Sequence, residues 1–418
     1  MKSNFEYERR CRAIDLLNAG VRFEQILRDL GRGRFWLAKW IRRYKALGRE
    51  GLQDRSRSPQ HVRNRTPGST VRNILALRDE LVAHKTRRAA FAGIGAETIH
   101  FELHRRGTRR LPSISTIEKI LARAGKTQRV KTRRPSGGPP YPYLPARKIG
   151  DLQQTDLVGP RHLRGSRGLT RFYSFHTIDV AGQTASAHQF RDKRTLSLLA
   201  HLIDSWRVMG LPKVSQMDNE MSASGGGRYR YSLSQVIRLH LLLGVHLRFI
   251  PPKEPGRNAA VESFNNTWQS RVLRHHCPDL RGLRRSSRRF LDYYHFRKPC
   301  RSLSLDQHGT RFPGILRDRL GPTLRHLPVG FTLAPYLDDQ GRLSLPIAKG
   351  LVSWVRKVDA RGRVEFNGAE YLVSRKLEHQ YVVAILSTHH RRVFFKHEGK
   401  LIKSLPFPFK GQIVEPLC

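Results

Sequence analysis

Acidic side chains are scarce in this 418-residue sequence: 33 Asp and Glu stand against 78 Lys and Arg, a formal charge of +45. A monomer so charged repels itself until a polyanion neutralises it. Nucleic acid is the obvious polyanion, because each Lys or Arg on a phosphate releases condensed counterions. Cysteine is scarcer still. Cys11, Cys277, Cys300 and Cys418 form no Cys-x-x-Cys pair, so neither a disulfide framework nor a zinc finger is readable. His275-His276-Cys277 gathers metal-ligating types, but adjacent helical residues point apart and no second ligand pair follows; a basic surface is the plainer reading. No apolar run is long enough to span a bilayer, and the charged, polar N-terminus does not read as a signal peptide. The expected compartment is reducing cytoplasm, with no membrane partner.

What is present is enough hydrophobic residue, 39%, to build folded domains, about three for this length. Residues 1–60 read as a helix-turn-helix domain. Helical periodicity runs over 7–19, 23–30 and 34–47, broken by Gly20 and Gly31. The third helix would enter the major groove, with Arg34, Lys39, Arg42 and Arg43 facing phosphates or base edges; a small bundle with a solvated basic face is the bland alternative. Residues 67–128 repeat the theme as a second helix-turn-helix domain, where Ser115-Thr116-Ile117-Glu118 reads as a capping box. Residues 129–148 are a basic linker rich in Pro and Gly, a composition that does not pack a core.

From residue 149 the pattern becomes mixed α/β, three strands in succession and then alternating helices and strands, up to residue 314. A connector over 315–348 leads to six short strands over 349–410. Turns at Arg361-Gly362, Asn367-Gly368 and Glu398-Gly399 separate them. Such even spacing predicts a small β-barrel. Its Arg356, Lys357, Arg375, Arg391 and Arg392 suit DNA backbone and an ordinary soluble surface equally well.

With acids so few, their placement in the α/β segment is informative. Asp156 ends the first predicted strand, Asp218 follows another, and Glu262 lies in the first turns of a helix. Carboxylates at neighbouring strand ends and on a helix across them can converge, and magnesium takes such hard oxygen ligands. Phosphoryl transfer on a stable diester needs that arrangement, with two ions about 4 Å apart and no protein nucleophile. Taken singly, Asp156 could cap a strand, Asp218 form a turn with Asn219 and Glu262 sit on a helix surface. Asp179 is a fourth acid, read as a turn-former with Gly182. Lys253, Arg257 and Asn258 precede the Glu262 helix and could hold phosphate at its N-terminus, although a plain loop fits nearly as well.

Several stretches resemble the catalytic core shared by retroviral integrases and bacterial insertion-sequence transposases. They are Gln154-Thr155-Asp156-Leu157-Val158-Gly159-Pro160, Thr177-Ile178-Asp179, Met217-Asp218-Asn219, Val261-Glu262-Ser263-Phe264-Asn265 and Tyr293-Tyr294-His295-Phe296-Arg297-Lys298-Pro299. Gly51-Leu52-Gln53-Asp54 and Pro112-Ser113-Ile114-Ser115 resemble joints of the tandem helix-turn-helix region in such transposases. The resemblance implies an RNase H-like fold and a catalytic Asp156, Asp218 and Glu262 holding two Mg2+ or Mn2+ ions, Asp156 shared between them. It implies double-stranded DNA, transposon ends and target, as the partner, and a homo-multimer assembled on it in a bacterial cytoplasm, beside the nucleoid. The expected chemistry is metal-dependent DNA cleavage and strand transfer, that is, transposition. A DNA-binding regulator with a degenerate nuclease core is the alternative, and a nuclease that hydrolyses without joining a third. Three departures stand out: Glu220 where Gly is usual, His295 in place of Asn, and an Asp218–Glu262 separation of 44, longer than common and attributed to an inserted surface loop over 222–231.

Overall fold

The computed structural model describes residues 2–55, 65–86, 89–127, 138–165, 168–219 and 231–418. Residues 56–64, linker residues 129–137, Glu220 and all but the last residue of the expected inserted loop lie outside the described residues. The chain forms two compact units, Met1–Pro67 and Gly68–Cys418.

The first unit is helical: α1 (Lys2–Asn18), α2 (Phe23–Leu30) and α3 (Arg34–Leu47). Gly31, at φ +59°, supplies the left-handed residue that ends α2 and turns the chain into α3. Ala13, Ile26, Leu27 and Leu37 close one side of the core, and Ile14, Trp40 and Leu52 the other. Arg10 is buried, lies 3.9 Å over the Trp40 ring and donates to the Leu52 carbonyl at 2.9 Å. That fastens the turn after α3 to the bundle. Only glycine fits at Gly51, where a Cβ would lie 2.3 Å from the Arg43 carbonyl oxygen.

The second unit opens with α4 (Gly68–Ala83), α5 (Ala96–Arg105) and α6 (Ile114–Arg123) around Ile74, Leu77, Ile99, Leu103 and Ile117. The cap of α6 is Ser113, whose hydroxyl accepts from the Thr116 amide, two residues ahead of the expected capping box. These helices are not free-standing. Phe91, between α4 and α5, sits in the apolar cluster of the α/β core against Phe290; burying one such ring contributes about 2 kcal/mol.

The core sheet begins with the long hairpin β1 (Leu152–Gly165) and β2 (Gly168–Asp179), then β3 (Ala185–Phe190). α7 (Thr195–Met209), β4 (Val214–Met217), α8 (Gln235–Leu242), β5 (His246–Phe249) and α9 (Ala259–Val272) follow. α10 (Leu280–Phe296) was not anticipated: its five arginines mask Leu280, Leu283, Phe290 and Tyr294, which are buried. α11 (Leu305–His308) and α12 (Pro313–Leu320) follow. β1 pairs antiparallel with β2 and parallel with β4, and β4 parallel with β5. This is an α/β core.

The C-terminal strands do not close into the expected barrel. After β6 (Ile347–Ala348), β7 (Leu351–Lys357) pairs parallel with β5, Phe249 opposite Trp354. β8 (Arg363–Phe366) and β9 (Ala369–Leu372) form a separate hairpin. β10 (Tyr381–Ser387), β11 (Arg392–His397) and β12 (Lys400–Pro406) add to β7, giving one sheet of order β12-β11-β10-β7-β5-β4-β1-β2-β3. β13 (Ile413–Val414) pairs with β6. Strand lengths and turns are the same for a barrel and for an extended sheet; the open edge of β5 captured β7 instead.

Candidate active site

Register brings the first two acids together. Thr155 of β1 lies opposite Met217 of β4, so Asp156 and Asp218 each follow one member of a matched pair on adjacent parallel strands, about 4.8 Å apart at the backbone. Asp156 is half-buried and Asp218 exposed. Alternation along β1 puts Gln154 on the same face as Asp156. Gln154 accepts from the amides of Ala260 and Val261 (3.1 and 3.3 Å), which seats the start of α9 on that face.

A second set of bonds orients α9. Asn258, buried, donates to the Thr155 carbonyl and accepts from Gln216, which also bonds the Arg257 carbonyl. Asn265 donates to Asp156 Oδ2 at 2.7 Å, and Gln269 accepts from Arg161 of β1. Asn258, Glu262, Asn265 and Gln269 recur at helical spacing along one face, so Glu262 shares the side of α9 that meets β1.

Electrostatics record the convergence. The Asp156 carboxyl is pushed up to about 6, first by burial and further by the charges of Asp218 and Glu262, against the Leu157 amide and Asn265, which stabilise its ionised form. Asp156 is thus within electrostatic reach of both other acids. The three are not drawn into a closed ligand set: among the described residues no group of three His, Cys, Asp or Glu side chains is placed to hold one metal ion.

Behind the carboxylates runs a buried chain of hydrogen bonds. Asn265 Oδ1 meets His176 Nδ1 at 2.6 Å, His176 Nε2 meets Ser174 Oγ at 2.8 Å, and Gln189 donates to Ser174 at 3.0 Å. Burial holds His176 neutral, at about 3. Because Asn265 spends its amide donor on Asp156, His176 must carry its proton on Nδ1 to satisfy Oδ1. On the other flank, Asn219 donates to the Ile250 carbonyl and accepts from Arg356 at 2.7 Å. Arg356 comes from β7, is buried, and is lowered by burial to about 10. Asn265 and Gln154 were legible in principle, one helical turn from Glu262 and one strand repeat from Asp156. Arg356, 138 positions after Asp218 in the sequence, was not.

The remaining expected site residues divide. Asp179 is buried and accepts from the amides of Gly150 and Gly182 (2.8 and 2.6 Å), the turn role expected for it. Arg257 is not available to phosphate as expected. It bonds Glu254, Tyr143 and Tyr381 and lies 4.3 Å over the Tyr141 ring. Part of the expected linker thus packs on the core. Asn258 is likewise spent inside, whereas Lys253 is exposed on the loop before α9. On α3, Arg43 bonds the Gln53 carbonyl and stacks over Trp40. Arg34, Lys39 and Arg42 are exposed, Arg34 in a 3.0 Å pair with Glu24.

Residues 10–70 match the family described as winged helix-turn helix. Among solved structures, a chain of the simian T-cell lymphotropic virus intasome in complex with the PP2A regulatory subunit B56 gamma is 13% identical, covering 76% of this chain and 99% of that one, at a TM-score of 0.32. The HTLV-2 integrase catalytic core domain in complex with magnesium, in its dimeric form, is 14% identical over 39% of this chain and 98% of that one, TM-score 0.29. The BIV integrase catalytic core domain is 13% identical over 42% and 97%, TM-score 0.30. The match at residues 10–70 gives the chain a helix-turn-helix region, which precedes an α/β core.

Proposed function

We propose that this chain is a transposase of the integrase type, which binds transposon-end DNA, cuts it and joins it to target DNA. Asp156, Asp218 and Glu262 are its catalytic carboxylates and metal ligands. What supports the reading is the placement of the acids: Asp156 on β1 feels the charges of Asp218, just past β4, and of Glu262 on α9, in a chain with a formal charge of +45. That repulsion and the all-oxygen donor set fit divalent cations, two Mg2+ or Mn2+ ions in this proposal. When bound, such ions supply charge neutralisation and activation of the attacking oxygen. The chain's own residues do the rest. Asn265 fixes one oxygen of Asp156, Gln154 and Asn258 hold Glu262 toward it, and Asn219 with Arg356 steadies the backbone next to Asp218.

Arg34, Lys39 and Arg42 on α3, with Lys253 beside the site, are the proposed DNA contacts. The exposed Arg34–Glu24 pair costs little to exchange for a phosphate. Each protomer carries one set of acids, so pairing two ends calls for a multimer on DNA. One observation favours the second reading, a DNA-binding regulator: the acids do not form a closed ligand set among the described residues.

The test uses the full chain and labelled duplex from inverted repeats flanking its coding region, with and without Mg2+. Nicked and joined products that require Mg2+ support the proposal. Nicking alone indicates a hydrolytic nuclease, and binding with neither product leaves the regulator.

A further inference from the structure

A cavity of about 630 Å³ lies between the residues joining α4 to α5 and the N-terminal half of α10. Lys85, Arg285 and Arg289 line it with His84, His275 and His276, and none of its lining residues is Asp or Glu. The cavity opens beside a row of guanidinium groups. Arg281, Arg285, Arg288 and Arg289 are all exposed, and helical spacing sets them on one face of α10. Arg284, next to the row by the same spacing, is spent on the Gln189 carbonyl. The four in the row have no hydrogen bond or ion pair among the described residues. Asp279 caps the start of α10 through the Gly282 amide, and Asp292 lies beyond the row. Leu280 and Leu283 are buried, and no large apolar side chain is exposed on α10 between residues 281 and 289.

We propose that this row and its cavity form a second DNA track, which holds consecutive backbone phosphates of one strand across the junction of the α4–α6 helices with the catalytic core. Unpaired guanidinium groups match phosphate oxygens in charge and in fork geometry. Arg281 to Arg289 spans about 12 Å of helix, the axial rise of three to four nucleotides at about 3.4 Å each. The absence of an exposed apolar anchor on this face disfavours a lipid surface or a protein hot spot. The track belongs to the second unit and rests on the reading of the chain as a DNA-binding enzyme.

The experiment measures affinity of the full chain for a fluorescein-labelled random-sequence duplex over a salt series. Each phosphate contact contributes about 0.9 to the slope of log K against log[salt]. The double variant Arg285→Ala, Arg289→Ala should lower the slope by about 1.8. The double variant Lys400→Ala, Lys410→Ala removes the same charge from exposed positions at the start of β12 and beyond it and should lower it by less than 0.9, again at about 0.9 per phosphate. Both variants should melt with the wild type, since the four side chains are exposed. An unchanged slope in the first variant, or equal losses in both, overturns the track. A wild-type chain that does not bind duplex overturns the proposed function along with it.

Discussion

Asn265 donates a 2.7 Å hydrogen bond to Asp156, one helical turn after Glu262 on the same face of α9. A charge-assisted bond of this kind contributes about 1.5–3 kcal/mol, and here it holds the Oδ2 oxygen of Asp156. Asn265→Ala should lower strand cleavage tenfold or more with little change in DNA affinity. Full cleavage activity in a labelled-end assay would mean the bond only packs the helix.

The acids themselves give a sharper expectation. Asp156→Asn, Asp218→Asn and Glu262→Gln should each abolish cleavage and leave end binding nearly intact. An active variant removes its residue from the site.

Asp179 predicts a pH signature in stability. Burial raises its carboxyl to about 6, so between the ordinary 3.8 and 6 the folded chain holds more protons there than the unfolded chain. Its contribution therefore falls as pH rises through that window, by about 2–3 kcal/mol at most. The melting difference, Asp179→Asn minus wild type, should become more positive from pH 4 to pH 6.5 and then level off. A difference independent of pH would show an unperturbed carboxyl. Cleavage by this variant should be reduced but measurable.

The C-terminal strands should be inseparable from the catalytic core. Val352 and Trp354 of β7 are buried in the same cluster as Leu247 and Phe249 of β5, and Arg356 reaches Asn219. A chain ending at residue 348 uncovers that edge and should lose cooperative thermal unfolding, whereas residues 68–418 should keep it. A cooperative transition in the shorter chain, followed by near-UV circular dichroism, would show the strands to be an accessory.

The first unit should fold alone. Residues 1–67 contain the complete core around Leu37 and Trp40, and a fragment of that length should melt cooperatively. It should also bind element-end DNA in preference to random duplex, with affinity that falls steeply with salt. No preference would place end recognition in the second unit.

Local periodicity by itself determined most elements. α2 and α3 run over 23–30 and 34–47 as expected, and Asp156 stands on a strand, Asp218 just past one and Glu262 on a helix. Those are short-range properties, set by side-chain alternation and by glycine breaks. Tertiary structure decided which strands became neighbours. It merged the expected barrel into the core sheet through β5 and β7, docked α4–α6 by way of Phe91, and spent Arg43, Arg257 and Asn258 on internal partners. It also joined Asn265 to His176 and Arg356 to Asn219. Pairing of sheet edges and satisfaction of buried polar groups depend on partners distant in sequence, and local periodicity carries no record of them.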